Sequence, residues 1–455
     1  FDYNGYRINL LDTPGHNDFS EDTYRVLNAV DSVVMVIDGG KGIEKQTKKL
    51  FEVCRKRSIP VFTFVNKMDR PALDTLALLD EIESVLQIRA WPVNWPLGSG
   101  VDFKGVWDRN SRLAHLFERT VAGAKRAPVT TRGFDDPLLK DLLGANHEII
   151  GEDISLVEHS MPALDVESIG RGETTPVYFG SAANNFGVEL MLNGYLEHSP
   201  APAPRRSFGS NDTTPVQINP ENPNFSAFVF KIQANLDPRH RDRMAFMRIV
   251  SGKFTRDMFA IHVQSGKKLR LSNSSAVFGR ERVSIDEAYP GDIIGVVGNN
   301  SFSIGDTVSE DPTISYSEIP RFPPECFSFI HNPVPSNYKR FASGLEQLIQ
   351  EGLVHSFEVE GGGRSPLLAA VGPLQFDLVH YRLEAEYGAA SRIEPSPWSV
   401  CSWVVGNIDR ELQLPYGAER ARDRTGNLVL LFTGERQRDF FRDKHAGIVL
   451  NDYPL

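Results

Sequence analysis

Along residues 1–200 the apolar positions switch between two periods, and the switching itself implies an architecture. Apolar runs at Ile8, Leu10 and Leu11, at Ser32 to Ile37, at Pro60 to Val65 and at Pro176 to Phe179 read as buried strands. Between them, Asp18 to Val30, Glu44 to Arg57 and Leu73 to Leu86 place apolar residues at helical spacing, the last through Leu76, Leu79, Ile82 and Leu86. A further helix is expected near Phe186 to Leu196. Phe1 to Asp12 reads as a hairpin turning at Asn4-Gly5, with its first strand cut short. Strands alternating with helices of this length form parallel βαβ units, so a doubly wound α/β sheet is predicted. Val101 to Glu173 breaks the rhythm, being mixed in charge with weak periodicity, and reads as an insertion.

The style changes after Ser199-Pro200-Ala201-Pro202-Ala203-Pro204. Prolines at that density neither join a helix nor pair in a sheet, so this is a stiff linker. Beyond it lie short β-rich runs at Phe225 to Ala234, Ala245 to Val250, Met258 to Val263, Lys268 to Leu271 and Ile293 to Val297. Ser251-Gly252 and Ser265-Gly266 supply turns, and the pattern suggests an antiparallel β-barrel. After Pro320 to Pro324 a mixed α/β region follows, with helices expected at Tyr338 to Gln350 and Leu374 to Glu386. The predicted domains are residues 1–200, 201–318 and 319–455.

Composition narrows the class. Of 455 residues, 41% are hydrophobic and 24% charged, as in ordinary globular domains. No apolar run reaches the roughly 18 residues of a membrane span, and the first residues lack a basic-then-apolar leader. Cys54, Cys326 and Cys401 lie far apart, which fits buried thiols in a reducing cytoplasm better than a metal or disulfide framework. A net charge of −10 argues against general adhesion to DNA or other nucleic acid, while leaving room for a local basic patch.

Two loops carry the chemistry. Asn66-Lys67-Met68-Asp69 follows a predicted strand, where open α/β sheets bind ligands. The Asp69 carboxylate can accept hydrogen bonds from both N1–H and the exocyclic amine of guanine, a donor pair that adenine lacks. Asn66 can bridge the base and neighbouring loops, and the Lys67 stem can cover the ring face. Asp12-Thr13-Pro14-Gly15-His16 ends another predicted strand. There Asp12 can hold Mg²⁺ through its water shell, and the Gly15 N–H can face a γ-phosphate without a side chain in the way. His16 is then placed to orient an attacking water. Gly180-Ser181-Ala182 forms a third strand-end loop, whose backbone N–H at Ser181 or Ala182 can meet guanine O6. Arg239 to Arg243 is the densest basic segment and reads equally as a solvated turn or as an RNA phosphate contact. Gly361-Gly362-Gly363 lacks the ending of a phosphate loop and reads as a turn. No G-x-x-x-x-G-K-[S/T] loop occurs in the sequence. The chain is accordingly read as beginning after such a loop.

With these residues the chain resembles the translational GTPases, and among them the bacterial peptide chain release factor 3 family. Asp12 to His16, Asn66 to Asp69 and Ser181-Ala182 are the shared GTPase elements. The stretch Asp18 to Arg25 is more specific, since elongation factor G differs there. Trp95 to Gly98, Phe103 to Val106, Lys231 to Asn235, Arg239 to Arg243, Glu287 to Asp292 and Leu374 to Asp377 extend the likeness across nearly the whole chain. The resemblance implies a GTP-binding domain that lacks its phosphate loop and first switch, then a translation-factor β-barrel and a C-terminal α/β domain. It implies GTP/GDP and Mg²⁺ as cofactors, and a cytoplasmic factor that uses GTP on the ribosome to promote departure of stop-codon-reading release factors. His16 would be positioned with the help of ribosomal RNA. As it stands, the chain is expected neither to bind GTP tightly nor to hydrolyse it. The alternatives are another ribosome-dependent GTPase, such as elongation factor G, and a catalytically inactive ribosome-binding module.

Overall fold

The computed structural model of the chain describes all residues except 14–19, 118–128, 209–214, 235–242, 273, 279–280, 298–301, 317–322, 362–364, 407–411, 446 and 454–455. It divides into two compact units. One comprises residues 2–7 and 30–203; the other comprises residue 1, residues 8–29 and residues 204–455.

The first of these units is built on a parallel sheet of β1 (Val33–Asp38), β2 (Val61–Asn66), β3 (Arg89–Pro92) and β4 (Thr174–Phe179), in the order β1-β2-β4-β3. Every residue of β4 is buried, as befits an interior strand covered on both faces. Helices Lys45–Lys56, Thr75–Leu86 and Val188–His198 complete the alternation. The Thr75–Leu86 helix starts where the Asp74 carboxylate accepts the Ala77 N–H, and it buries Leu78, Leu79, Ile82 and Leu86. Residues 2–7 form the expected hairpin, with Asn4 and Gly5 both at positive φ, as its two-residue turn requires.

The insertion is more ordered than its pattern suggested. Asn94–Pro96, Gly105–Asp108, Leu113–Phe117 and Val129–Arg132 form a four-stranded antiparallel sheet, followed by helices Pro137–Leu143, Asn146–Ser160 and Val166–Gly170. Strands of three to five residues are too short for a period-two signal to emerge from a mixed background.

One predicted strand is absent. Residues 8–13 belong to no strand, and Leu10 is 73% exposed. A strand holds its shape only when a neighbour takes up its N–H and C=O groups, and residues 8–13 enter no ladder among the described residues.

In the second unit an eight-stranded sheet, antiparallel at every pairing, forms the barrel. It includes Ser226–Ala234, Arg243–Ser251, Phe259–His262, Lys267–Arg270 and Ile293–Val297. Phe225, Val229, Met247, Ile249, Phe254 and Ile294 pack its interior. A second eight-stranded antiparallel sheet carries helices Tyr338–Gln350 and Leu374–Tyr387. They cross closely at Gly344, where a Cβ would stand 2.7 Å from the Tyr387 ring. The same unit holds the helix Ser20–Asn28. Arg25 is 7% exposed, and its Nη1 donates to Gly352 O at 3.1 Å. Arg205 Nη1 donates to Asn28 O at 2.6 Å, and the Asn9 amide donates to Asp292 at 3.0 Å. The segment before the linker is thus anchored to the part of the chain that follows it.

Candidate functional site

The site grows from the C-terminal ends of β2 and β4, which lie side by side with Val65 opposite Phe179. Each strand gives way to a loop at the same edge of the sheet, and the loops are joined. Asn66, the last residue of β2, accepts the Lys67 N–H at 2.8 Å and the Ala182 N–H at 2.9 Å on one side-chain oxygen. The Met68 N–H donates to Gly180 O at 3.1 Å, and the Gly180 N–H to Val65 O at 3.0 Å. Gly180 allows the close approach, since a Cβ there would lie 2.5 Å from Phe186 O.

Asp69 is half-buried. Its Oδ2 accepts a hydrogen bond from Asn184 Nδ2 at 3.2 Å, while the same amide nitrogen donates to Ser181 Oγ at 2.8 Å. One amide therefore ties the acid of the first loop to the hydroxyl of the second. Lys67 takes the left-handed conformation at φ 67°, and its Nζ lies 2.6 Å from Asp38 Oδ2 at the end of β1. That hydrogen bond holds the Asp38 carboxyl below the usual carboxylate range, against an opposing effect of partial burial.

Asn66, Lys67, Asp69, Ser181 and Ala182 are thus brought together on adjacent loops. Of the two N–H groups expected to meet guanine O6, that of Ser181 donates to Phe186 O and that of Ala182 to Asn66, while the Lys67 ammonium is engaged with Asp38. The sequence reading missed Asp38 and Asn184. In sequence Asp38 is one acid before Gly39-Gly40, and Asn184 one polar residue after Ser181-Ala182-Ala183, so neither carries a signal of its own. Asp12 is exposed and belongs to the other unit. Gly15, His16 and Arg239 to Asp242 lie outside the described residues. Among the described residues no group of three or more His, Cys, Asp or Glu side chains is placed to hold a metal, and no helix is long and apolar enough to cross a membrane.

The Asp69 carboxylate is an acceptor suited to a planar base with adjacent N–H donors. Asp69 presents a carboxylate with one oxygen fixed by Asn184, and Asn66 offers an amide within reach of both loops. Comparison with known proteins places the chain in a family. Residues 1–201 match the elongation factor Tu GTP binding domain, residues 224–311 match elongation factor G domain 2, and residues 316–441 match the class II release factor RF3 C-terminal domain. The chain is 48% identical over 438 residues to peptide chain release factor 3 of Gloeobacter violaceus, across 95% of this chain and 81% of that protein. It belongs to the peptide chain release factor 3 family.

A second member of the family, from Trichodesmium erythraeum, is 46% identical over 99% of this chain and 83% of its own length. A solved structure from Thermus thermophilus superposes with a TM-score of 0.67 at 21% identity, over 92% of this chain and 62% of that one, and shows the shared fold. The α/β GTPase domain, the β-barrel and the C-terminal domain expected from sequence are those of this family of GTP-binding translation-termination factors.

Proposed function

We propose that Asn66, Lys67 and Asp69 on one loop and Ser181 and Ala182 on the next form the guanine-base part of a GTP/GDP site. In this reading Asp12 holds Mg²⁺ through water, Gly15 faces the γ-phosphate and His16 orients the attacking water. The protein acts on the ribosome in the cytoplasm, where ribosomal RNA lies near the GTPase site, and its GTP cycle promotes departure of stop-codon-reading release factors. It works through three domains, residues 1–200, 201–318 and 319–455. The observation that carries the base-binding part is the tie from Asn66 to Ala182, paired with the hold of Asn184 on Asp69. Together they hold the Asp69 carboxylate, the acceptor that guanine would use, beside the Ser181-Ala182 loop.

The test is a change of base. Xanthine carries a carbonyl where guanine carries its exocyclic amine, so an amide in place of the Asp69 carboxylate offers the complementary donor. Asp69→Asn in the full-length protein is expected to move nucleotide preference from GDP to xanthosine diphosphate by at least about 100-fold. Unchanged preference for GDP sinks the base-site assignment. Ribosome-stimulated GTP hydrolysis that is lost in His16→Ala would support the role given to His16, and hydrolysis unchanged in that variant would sink it.

A further inference from the structure

The insertion sends one turn back onto both base loops. Asn94, 1% exposed, sits at the end of β4, where its side chain accepts the Phe179 N–H at 2.7 Å and donates to Phe179 O at 3.2 Å. Its strand pairs Asn94 to Asp108 and Pro96 to Val106, and the chain between them turns through residues 98–103. Two glycines shape the turn. Gly98 has φ 88°, and a Cβ there would lie 2.3 Å from Asp102 O. Gly100 has φ 63°, and its N–H is shared between Met68 O at 2.9 Å and Arg70 O at 3.1 Å.

Met68 and Arg70 flank Asp69. A single N–H that holds the carbonyls on both sides fixes the backbone from which the Asp69 carboxylate projects. At the other end of the turn, the buried Phe103 ring meets the Phe186 ring edge-on, with centroids 5.8 Å apart. Phe186 in turn exchanges both backbone hydrogen bonds with Ser181, at 2.9 and 3.0 Å. The same short segment therefore grips the back of each loop that carries a base contact.

We infer that the Gly98–Phe103 turn is a positioning element for guanine selection, setting the Asp69 carboxylate and the Ser181-Ala182 backbone at a fixed separation. The inference rests on the base-site reading above. None of the turn's own residues is assigned a contact with nucleotide; they act through the loops they hold. A mispositioned Asp69 loses its advantage from the exocyclic amine first, because two bonds from one carboxylate demand a defined in-plane angle.

The readout is therefore selectivity. Affinities for GDP and for inosine diphosphate, which lacks that amine, are measured in the full-length protein and in its Gly100→Ala and Phe103→Leu variants. Gly100→Ala strains a positive φ, and its Cβ would lie 3.4 Å from Pro71 N. Phe103→Leu keeps the turn apolar and serves if Gly100→Ala fails to fold. The expected result is a fall of about tenfold in GDP affinity with inosine diphosphate affinity nearly unchanged, so that the ratio between them collapses. Equal falls for both nucleotides, or no fall for either, would overturn the inference. Asp69→Asn, run in parallel, separates this outcome from a failure of the base-site reading itself.

Discussion

The loop Asn66–Asp69 and the segment Ile8–Thr13 carry comparable chemical promise but very different support. The first leaves a strand with neighbours on both sides and is then held by side chains and backbone from the adjoining loop and the insertion. The second follows a two-residue hairpin strand, enters no ladder among the described residues and exposes Leu10. Its described support comes later, at Arg25 and Asn28 in the helix Ser20–Asn28. Positional accuracy at a ligand site is thus supplied by neighbours, and the two regions obtain it from different parts of the chain. The largest way to break the contrast is Asn66→Ala in the full-length protein. It strands two N–H donors, those of Lys67 and Ala182, and is expected to lower guanine-nucleotide affinity about 100-fold. Equilibrium titration with a fluorescent GDP reads it, and a loss below about threefold would mean that the loops are held apart from Asn66.

Arg25→Met removes the corresponding support in the other region. The guanidinium donates to Gly352 O, and Gly352, at φ 73°, leaves no room there for a Cβ, which would lie 2.7 Å from Arg25 Nη1. Losing a charged, buried donor is expected to cost about 2 kcal/mol, measured as the denaturant midpoint of unfolding. An unchanged midpoint would show that the helix Ser20–Asn28 is held by apolar packing through Val26 and Leu27 instead.

Much of this contrast could be read from residue order, and some could not. The strands before Asn66 and Gly180 announce themselves because fully covered strands are continuously apolar, and the helix Tyr338–Gln350 matches its expected bounds. Asn66, Asp69 and Ser181 were legible because each sits at a fixed offset from such a strand. Asn184 and Gly100 were not. Their roles depend on partners distant in the sequence, and a lone amide or glycine carries no period. Ile8 to Leu11 misled for the opposite reason, since an apolar run shows the capacity to be a strand but not the presence of a neighbour to pair with.

The Asp38–Lys67 pair offers a smaller lever on the better-held loop. The Asp38 carboxyl titrates below its ordinary value of 3.8 because of the Lys67 hydrogen bond. A depressed native value means that the unfolded chain binds the proton more readily. The pair's contribution is therefore complete above the ordinary carboxylate range and is lost as pH falls through the native value. Lys67 is 43% exposed, so solvent screening holds the contribution below about 1 kcal/mol. Asp38→Asn should lower stability slightly at pH 7, by an amount that shrinks as pH falls below the ordinary carboxylate range. A difference that persists unchanged into acid would point to packing rather than charge.

The smallest effect is the sharpest on the weaker side. Leu10 at 73% exposure has little apolar surface to lose, so Leu10→Ser in the 455-residue chain should change unfolding free energy by less than about 0.5 kcal/mol. Had residues 8–11 formed the buried strand their pattern suggests, the same truncation of a packed leucine would cost about 2–5 kcal/mol. Urea unfolding separates these values easily. A cost above about 2 kcal/mol would place Leu10 in a core, and Ile8–Thr13 would then draw on the same strand-based support as Asn66–Asp69. A negligible cost leaves the distinction standing: among the described residues Ile8–Thr13 lacks the strand pairing that supports Asn66–Asp69.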